Sequence, residues 1–131
     1  MRFADTSFYI AIGNSTDSLH QRASQLAKEY HGKIVTTDFV VVETGNFFSR
    51  SGDRESFERL VQVFRADPQT ETVPATRDLV DRGISLYLDR PDKNWSLTDC
   101  ISFAVMHEHG VQEALTGDRH FEQAGFLPLL T

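Results

Sequence analysis

The chain has 131 residues, with 13 Lys and Arg set against 19 Asp and Glu for a formal charge of −6. That length supports one hydrophobic core and predicts a single domain over residues 1–131. With 40% apolar and 24% charged residues and only 8 Gly and 4 Pro, disordered and collagenous chains are excluded, and no apolar run approaches the roughly 20 residues that cross a bilayer. The acidic balance excludes the basic footprint of a duplex-DNA-binding module, but it leaves room for a nuclease whose carboxylates are neutralised by divalent cations. Asp5 interrupts the pattern of a secretory leader and Cys100 has no partner for a disulfide, so a cytoplasmic, reducing location is expected.

Arg2 to Ala4 reads as a short strand running into Asp5, followed by an apolar helical turn from Ser7 to Ile12 that Gly13 stops. Asp17 is expected to cap a helix whose apolar positions Leu19, Ala23, Leu26, Ala27 and Tyr30 keep helical spacing up to Gly32. Lys33 to Thr36 is a strand. Asp38 to Phe48 has the β-branched run of a strand, yet Phe39, Val42 and Asn46 share one helical face, and a helix is predicted. Asp53 caps a helix with Phe57, Leu60, Val61 and Phe64 at i, i+3, i+4 and i+7. Thr70 to Val73 is a strand, and Thr76 caps a helix expected to turn Leu79, Val80, Ile84, Tyr87 and Leu88 inward. A polar loop, Asp89 to Asn94, precedes a helix that Thr98 is expected to cap, carrying Ile101, Ala104 and Val105 and ending at Gly110. Glu113 to Thr116 is a strand, Arg119 to Ala124 a short helix and Phe126 to Leu130 a last strand.

Strand and helix in turn predict an α/β fold, a parallel sheet covered by helices on both faces, with any site at the carboxyl ends of the strands. Asp5 follows the first strand and Asp118 follows the strand ending at Thr116, so both fall on one rim. Asp99, in the first turn of a helix, and Glu43 are placed to join them. Carboxylates brought this close repel one another, and one or two divalent cations with oxygen ligands, Mg²⁺ or Mn²⁺, relieve that repulsion. Displacement at phosphorus is the chemistry that needs such a site.

The segments Asp5-Thr6-Ser7-Phe8, Glu43 in an apolar helix, Ser96-Leu97-Thr98-Asp99 and Thr116-Gly117-Asp118-Arg119-His120-Phe121 stand in this order along the whole chain. In this pattern the chain resembles the PIN-domain family, specifically its VapC-like toxin ribonucleases. The resemblance implies a three-layer α/β/α fold with a central parallel sheet and metal-dependent cleavage of single-stranded RNA, with water as the in-line nucleophile and a 5′-phosphate as product. It implies Asp5, Glu43, Asp99 and Asp118 as catalytic and metal-holding residues. Thr6, Ser96 and Thr98 are supporting hydroxyls beside the acids, with helix capping as the alternative role of Thr98. Arg50, Lys93 and Arg119 lie near the motifs and are candidates for RNA phosphate contacts. A homodimer and a small antitoxin protein are further implications, the antitoxin meeting helices near Phe47, Phe48, Phe57 and Phe64, which are otherwise ordinary core.

Two alternatives have identifiable signals. A PIN-type RNA-processing nuclease outside a toxin–antitoxin pair would carry the same residues. A Mg²⁺-binding receiver-like signalling module needs an adjacent acidic pair after the first strand, where this chain has Asp5-Thr6-Ser7, and the same lack weakens a haloacid-dehalogenase-type phosphatase. His107 and His109 are two apart and share no helical face, so they do not form a zinc site. His120 is expected to pack or to be solvated, and Trp95 to anchor its loop, with base stacking as the alternative.

Overall fold

Five parallel strands form the sheet of the computed structural model, which describes residues 1–131. They are β1 (Arg2–Ala4), β2 (Ile34–Thr37), β3 (Thr70–Val73), β4 (Glu113–Leu115) and β5 (Leu127–Pro128), in the spatial order β3-β2-β1-β4-β5. The helices are α1 (Thr6–Gly13), α2 (His20–Glu29), α3 (Asp38–Ser51), α4 (Arg54–Ala66), α5 (Arg77–Asp89), α6 (Leu97–His109) and α7 (Arg119–Gln123). This is the expected three-layer α/β/α arrangement, and its strand order differs from the 2-1-3-4-5 order of a receiver domain. No helix is long and apolar enough to cross a membrane.

The central strand β1 is short but fully paired: Phe3 lies opposite Val35 on one side and Ala114 on the other. All three are completely buried, as a two-sided parallel sheet requires. β1 and β4 end side by side, Ala4 against Leu115, and this register sends Asp5 and the Thr116–Asp118 loop out of the same edge.

Several local expectations are corrected. Asp17 does not cap α2. Its Oδ1 accepts the Leu19 N–H at 2.8 Å in a turn, and the helix starts at His20. In α3 the helix prediction holds, but the buried face is Val40, Thr44 and Phe48, with Val42 60% exposed. Thr37, the last residue of β2, starts α3 immediately by accepting the Val40 N–H, and that fixes the rotation of the helix. The last strand shrinks to Leu127–Pro128, since Pro128 has no N–H to give the ladder, while Phe126 and Leu130 turn into the core.

The largest correction is in α5, where Ile84, Tyr87 and Leu88 face solvent. The inward stripe is Leu79, Gly83 and the half-buried Leu86, because Gly83 lets α5 close onto α6. A Cβ at position 83 would overlap Ile101 Cγ1 and stand 3.3 Å from the Ile101 backbone. Gly83→Ala is therefore expected to destabilise the fold by about 1–3 kcal/mol despite the better helix propensity of alanine, read as a lower urea midpoint.

The aromatic groups Phe47, Phe57 and Phe64 are partly buried against the core and Phe48 is 1% exposed, so these four serve the interior. Phe64 packs edge-on against Tyr9 with ring centroids 4.7 Å apart.

Candidate active site

Where β1 ends, the chain turns directly into α1, placing Asp5 at its N-cap with an extended backbone (φ −91°, ψ 166°) and no capping bond from its side chain. The carboxylate is instead held by hydroxyls. Thr116 Oγ1 donates to Asp5 Oδ2 at 2.8 Å, and Ser7 Oγ lies 3.3 Å from the same oxygen and 3.1 Å from Thr116 Oγ1. The Asp118 N–H donates to Thr116 Oγ1 at 3.0 Å, so one fully buried hydroxyl ties the end of β1 to the loop after β4.

Asp99 is placed by its own helix start. Ser96 Oγ accepts the Asp99 N–H at 3.0 Å while Asp99 Oδ2 accepts the Ser96 N–H at 3.2 Å, a reciprocal capping box. Ser96, not Thr98, is therefore the cap of α6. Ser96→Ala is expected to cost about 1 kcal/mol of stability, whereas Thr98→Ala leaves the cap intact; urea unfolding of the two variants separates them.

Asp118 caps α7 by accepting the His120 N–H at 2.8 Å, which turns His120 back toward the sheet edge. His120 Nδ1 then lies 3.0 Å from Asp99 Oδ2 and 3.5 Å from Asp118 Oδ2. The expectation that His120 merely packs or is solvated is thus overturned. From α3, Glu43 reaches the rim and accepts a 2.5 Å hydrogen bond from Thr6 Oγ1.

These side chains line one open cleft of about 370 Å³ that holds Asp5, Thr6, Ser7, Glu43, Asn94, Ser96, Asp99, Asp118 and His120, with Ile10 as its one hydrophobic member. Thr98 and the three cations named from sequence, Arg50, Lys93 and Arg119, do not line it. Trp95 is buried, and its indole N–H donates to Gln123 Oε1 at 3.1 Å, so it anchors the loop. Ser7, Asn94, Thr116 and His120 belong to the site and were not assigned to it from the sequence. The signal for Ser7 and Thr116 was their spacing, each two residues from an acid of the quartet.

The electrostatics are those of crowded acids. Asp5 is 6% exposed, and burial, with the Asp99 and Glu43 charges adding to it against the Thr116 and backbone hydrogen bonds, pushes its carboxyl up to about 7. Burial also raises Asp99, opposed by its bond to His120. No Lys or Arg forms an ion pair with Asp5, Glu43, Asp99 or Asp118. Ligand atoms of Asp99, Asp118 and His120 lie within 4.8 Å of one another, a donor set that can hold a divalent cation. This grouping departs from the four carboxylates expected from sequence: Asp5 and Glu43 fall outside it and His120 enters it. Carboxylate oxygens suit hard divalent cations, whereas the imidazole favours borderline transition metals.

Residues 2–127 match the PIN domain family. The chain belongs to that family. Within it, this PIN domain is 30% identical over 128 residues to the 23S rRNA-specific endonuclease VapC20 of Mycobacterium tuberculosis, a match covering 97% of this chain and 96% of the relative. The crystal structure of that VapC20, described as a Sarcin-Ricin loop cleaving toxin, aligns with a TM-score of 0.90 at 28% identity over 97% of each chain. A toxin–antitoxin complex from Klebsiella pneumoniae shares the fold, with a TM-score of 0.64 at 14% identity over 91% of this PIN domain and 88% of the other chain. The likeness to VapC-like toxin ribonucleases thus extends over sequence and structure alike.

Proposed function

We propose that this PIN domain is a Mg²⁺- or Mn²⁺-dependent endoribonuclease that hydrolyses phosphodiester bonds in single-stranded RNA, acting in the cytoplasm as the toxin of a type II toxin–antitoxin pair. The observation that carries this reading is the meeting of Asp5, Glu43, Asp99 and Asp118, from four separate segments of the chain, in one cleft without a Lys or Arg counter-charge. The rRNA specificity stated for the VapC20 relative makes an exposed ribosomal RNA loop the first substrate to try. A small antitoxin and a second copy of the chain are the proposed protein partners.

Asp5, Asp99 and Asp118, with Glu43 and His120 beside them, would hold the cation. When bound, it supplies Lewis acidity at the phosphodiester and lowers the pKa of water. The protein's own contribution is to fix the carboxylates. Thr116 orients the Asp5 carboxylate, the Ser96 N–H orients Asp99, and Thr6 holds Glu43 over the cleft. Each carboxylate accepts only part of the hydrogen bonds it is able to accept, leaving lone pairs for a cation. Thr116→Val is expected to lower the cleavage rate by about 10-fold to 100-fold, the scale of losing a residue that orients a ligand, with the melting temperature as a control for folding.

The direct test is cleavage of end-labelled single-stranded RNA and of an rRNA stem-loop by purified protein, with Mn²⁺ or Mg²⁺ against chelator. Cutting that requires metal and yields 5′-phosphate ends supports the reading; absence of cutting under every metal sinks it.

A further inference from the structure

The exposed end of α5, the loop of residues 90–96 and the first turn of α6 enclose a second hollow of about 260 Å³. Its wall includes Trp95 and Cys100, the immediate chain neighbours of Asn94, Ser96 and Asp99 in the cleft. Consecutive residues of a helix are about 100° apart around its axis, so the turn that carries Asp99 to the cleft carries the fully buried Cys100 behind the second hollow. Resting on the endoribonuclease reading, we propose that this hollow is a substrate subsite that holds one unpaired nucleobase of the RNA strand, next to the phosphate engaged by the carboxylates, stacked on the face of the Arg90 guanidinium.

The hollow is built from flat surfaces that are held in place. Trp95 is 6% exposed and locked by its bond to Gln123 and by an edge-on contact with Phe103, ring centroids 5.1 Å apart. Arg90 Cζ lies 5.2 Å from the Trp95 ring centroid. Its Nε and Nη2 each donate to Asp92 at 3.0 Å, a two-point clasp that fixes the plane of the guanidinium. The Arg90 side chain is still 41% exposed, so its surface is open to a ligand. Tyr87 adds a half-exposed aromatic ring to the wall.

The charges point to RNA. Lys93 Nζ stands 4.0 Å from Asp92 Oδ2, a loose pair that leaves ammonium hydrogens for a phosphate. A strand approaching a cleft of four carboxylates in a protein of formal charge −6 needs attraction from beside the cleft. Planar guanidinium and aromatic faces recognise unpaired bases by stacking, and they tolerate different bases. The exposed Tyr87 and Leu88, which sequence patterning assigned to the core, then have a role at the rim.

The test uses short single-stranded RNAs carrying 2-aminopurine at successive positions, bound to full-length Asp5→Asn protein in Mg²⁺. The base in the hollow is expected to show quenched fluorescence at one position, and quenching and affinity to fall about 10-fold in Arg90→Ala. Arg90→Lys, which keeps the charge but loses the flat fork, is expected to fall as far. In the otherwise wild-type enzyme the same substitutions raise KM more than they lower kcat. Full rescue by Arg90→Lys overturns stacking, and unchanged binding and KM in both variants overturn the subsite. A changed oligomeric state with unchanged RNA binding assigns the hollow to self-association instead. RNA that is bound and quenched but never cut by wild-type protein refutes the nuclease reading while keeping the subsite.

Discussion

Asp5→Asn is expected to abolish cleavage, by a factor of about 1,000 or more, and at the same time to make the metal-free protein more stable at pH 8. Both effects follow from a carboxylate buried at the end of the central strand. Deprotonated, it is the most enclosed carboxylate of the cleft, and in the proposed reading it is one of the groups that would hold the cation. Without a cation, its charge is a burden on the fold. Burial pushes the Asp5 carboxyl from its ordinary 3.8 up to about 7 in the folded protein, so well below pH 3.8 both states are protonated and the group contributes nothing. As pH rises from about 4 to 7 the unfolded chain releases this proton first, and stability falls. Above pH 7 the full penalty, on the order of 4 kcal/mol at 1.36 kcal/mol per pKa unit, is in place. Asp99 is shifted in the same direction by burial. The lowered groups Asp53, Asp92 and Glu108 act in the opposite sense but only in the acid range. Guanidinium unfolding in chelator should therefore show wild type losing stability between pH 5 and pH 8 and Asp5→Asn losing far less. A flat wild-type profile would mean that the Asp5 charge is already compensated.

The rim on which these acids meet was legible because strand ends in a parallel α/β fold are a topological consequence of alternation, and Asp5 and Asp118 each follow a strand. Asp99 was legible as a residue, but its cap was not. Ser96 and Thr98 both have capping side chains, and only the start of α6 at Leu97 selects Ser96. His120 was read as packing or solvated because its role depends on Asp118 capping a five-residue helix, a turn geometry that composition does not encode. Thr116 was hidden for a similar reason. It was read as the end of a strand, whereas its hydroxyl bridges two elements 111 residues apart. In α5 the apolar spacing of Val80, Ile84 and Leu88 was a false guide, since a glycine carries no hydrophobicity and yet Gly83 marks the face that closes on α6. Periodicity finds the faces that side chains fill; it does not find the face where their absence permits contact.

Adding Mn²⁺ or Mg²⁺ is expected to raise the melting temperature of the wild-type protein by several degrees, and by more at pH 8 than at pH 5.5. A ligand that binds only the native state stabilises it by RT ln(1 + [L]/Kd), about 2.7 kcal/mol at 100 times Kd, and 1 kcal/mol corresponds to about 2–8 °C for domains of this size range. The pH dependence has a separate origin. At pH 5.5 burial keeps the proton on Asp5 in the folded state, so if Asp5 holds the cation, as proposed, binding has to displace that proton, whereas at pH 8 the deprotonated carboxylates are already present and the cation also relieves their repulsion. Asp99→Asn removes one donor from the Asp99, Asp118 and His120 set and is expected to shrink the shift at both pH values. Asp92→Asn, at an exposed carboxylate outside the cleft, should leave the shift intact. Differential scanning fluorimetry with NaCl at matched ionic strength separates site binding from general screening. Equal shifts in wild type and Asp99→Asn would show that the ion stabilises the protein somewhere else, and the cleft would then lose its claim to the metal.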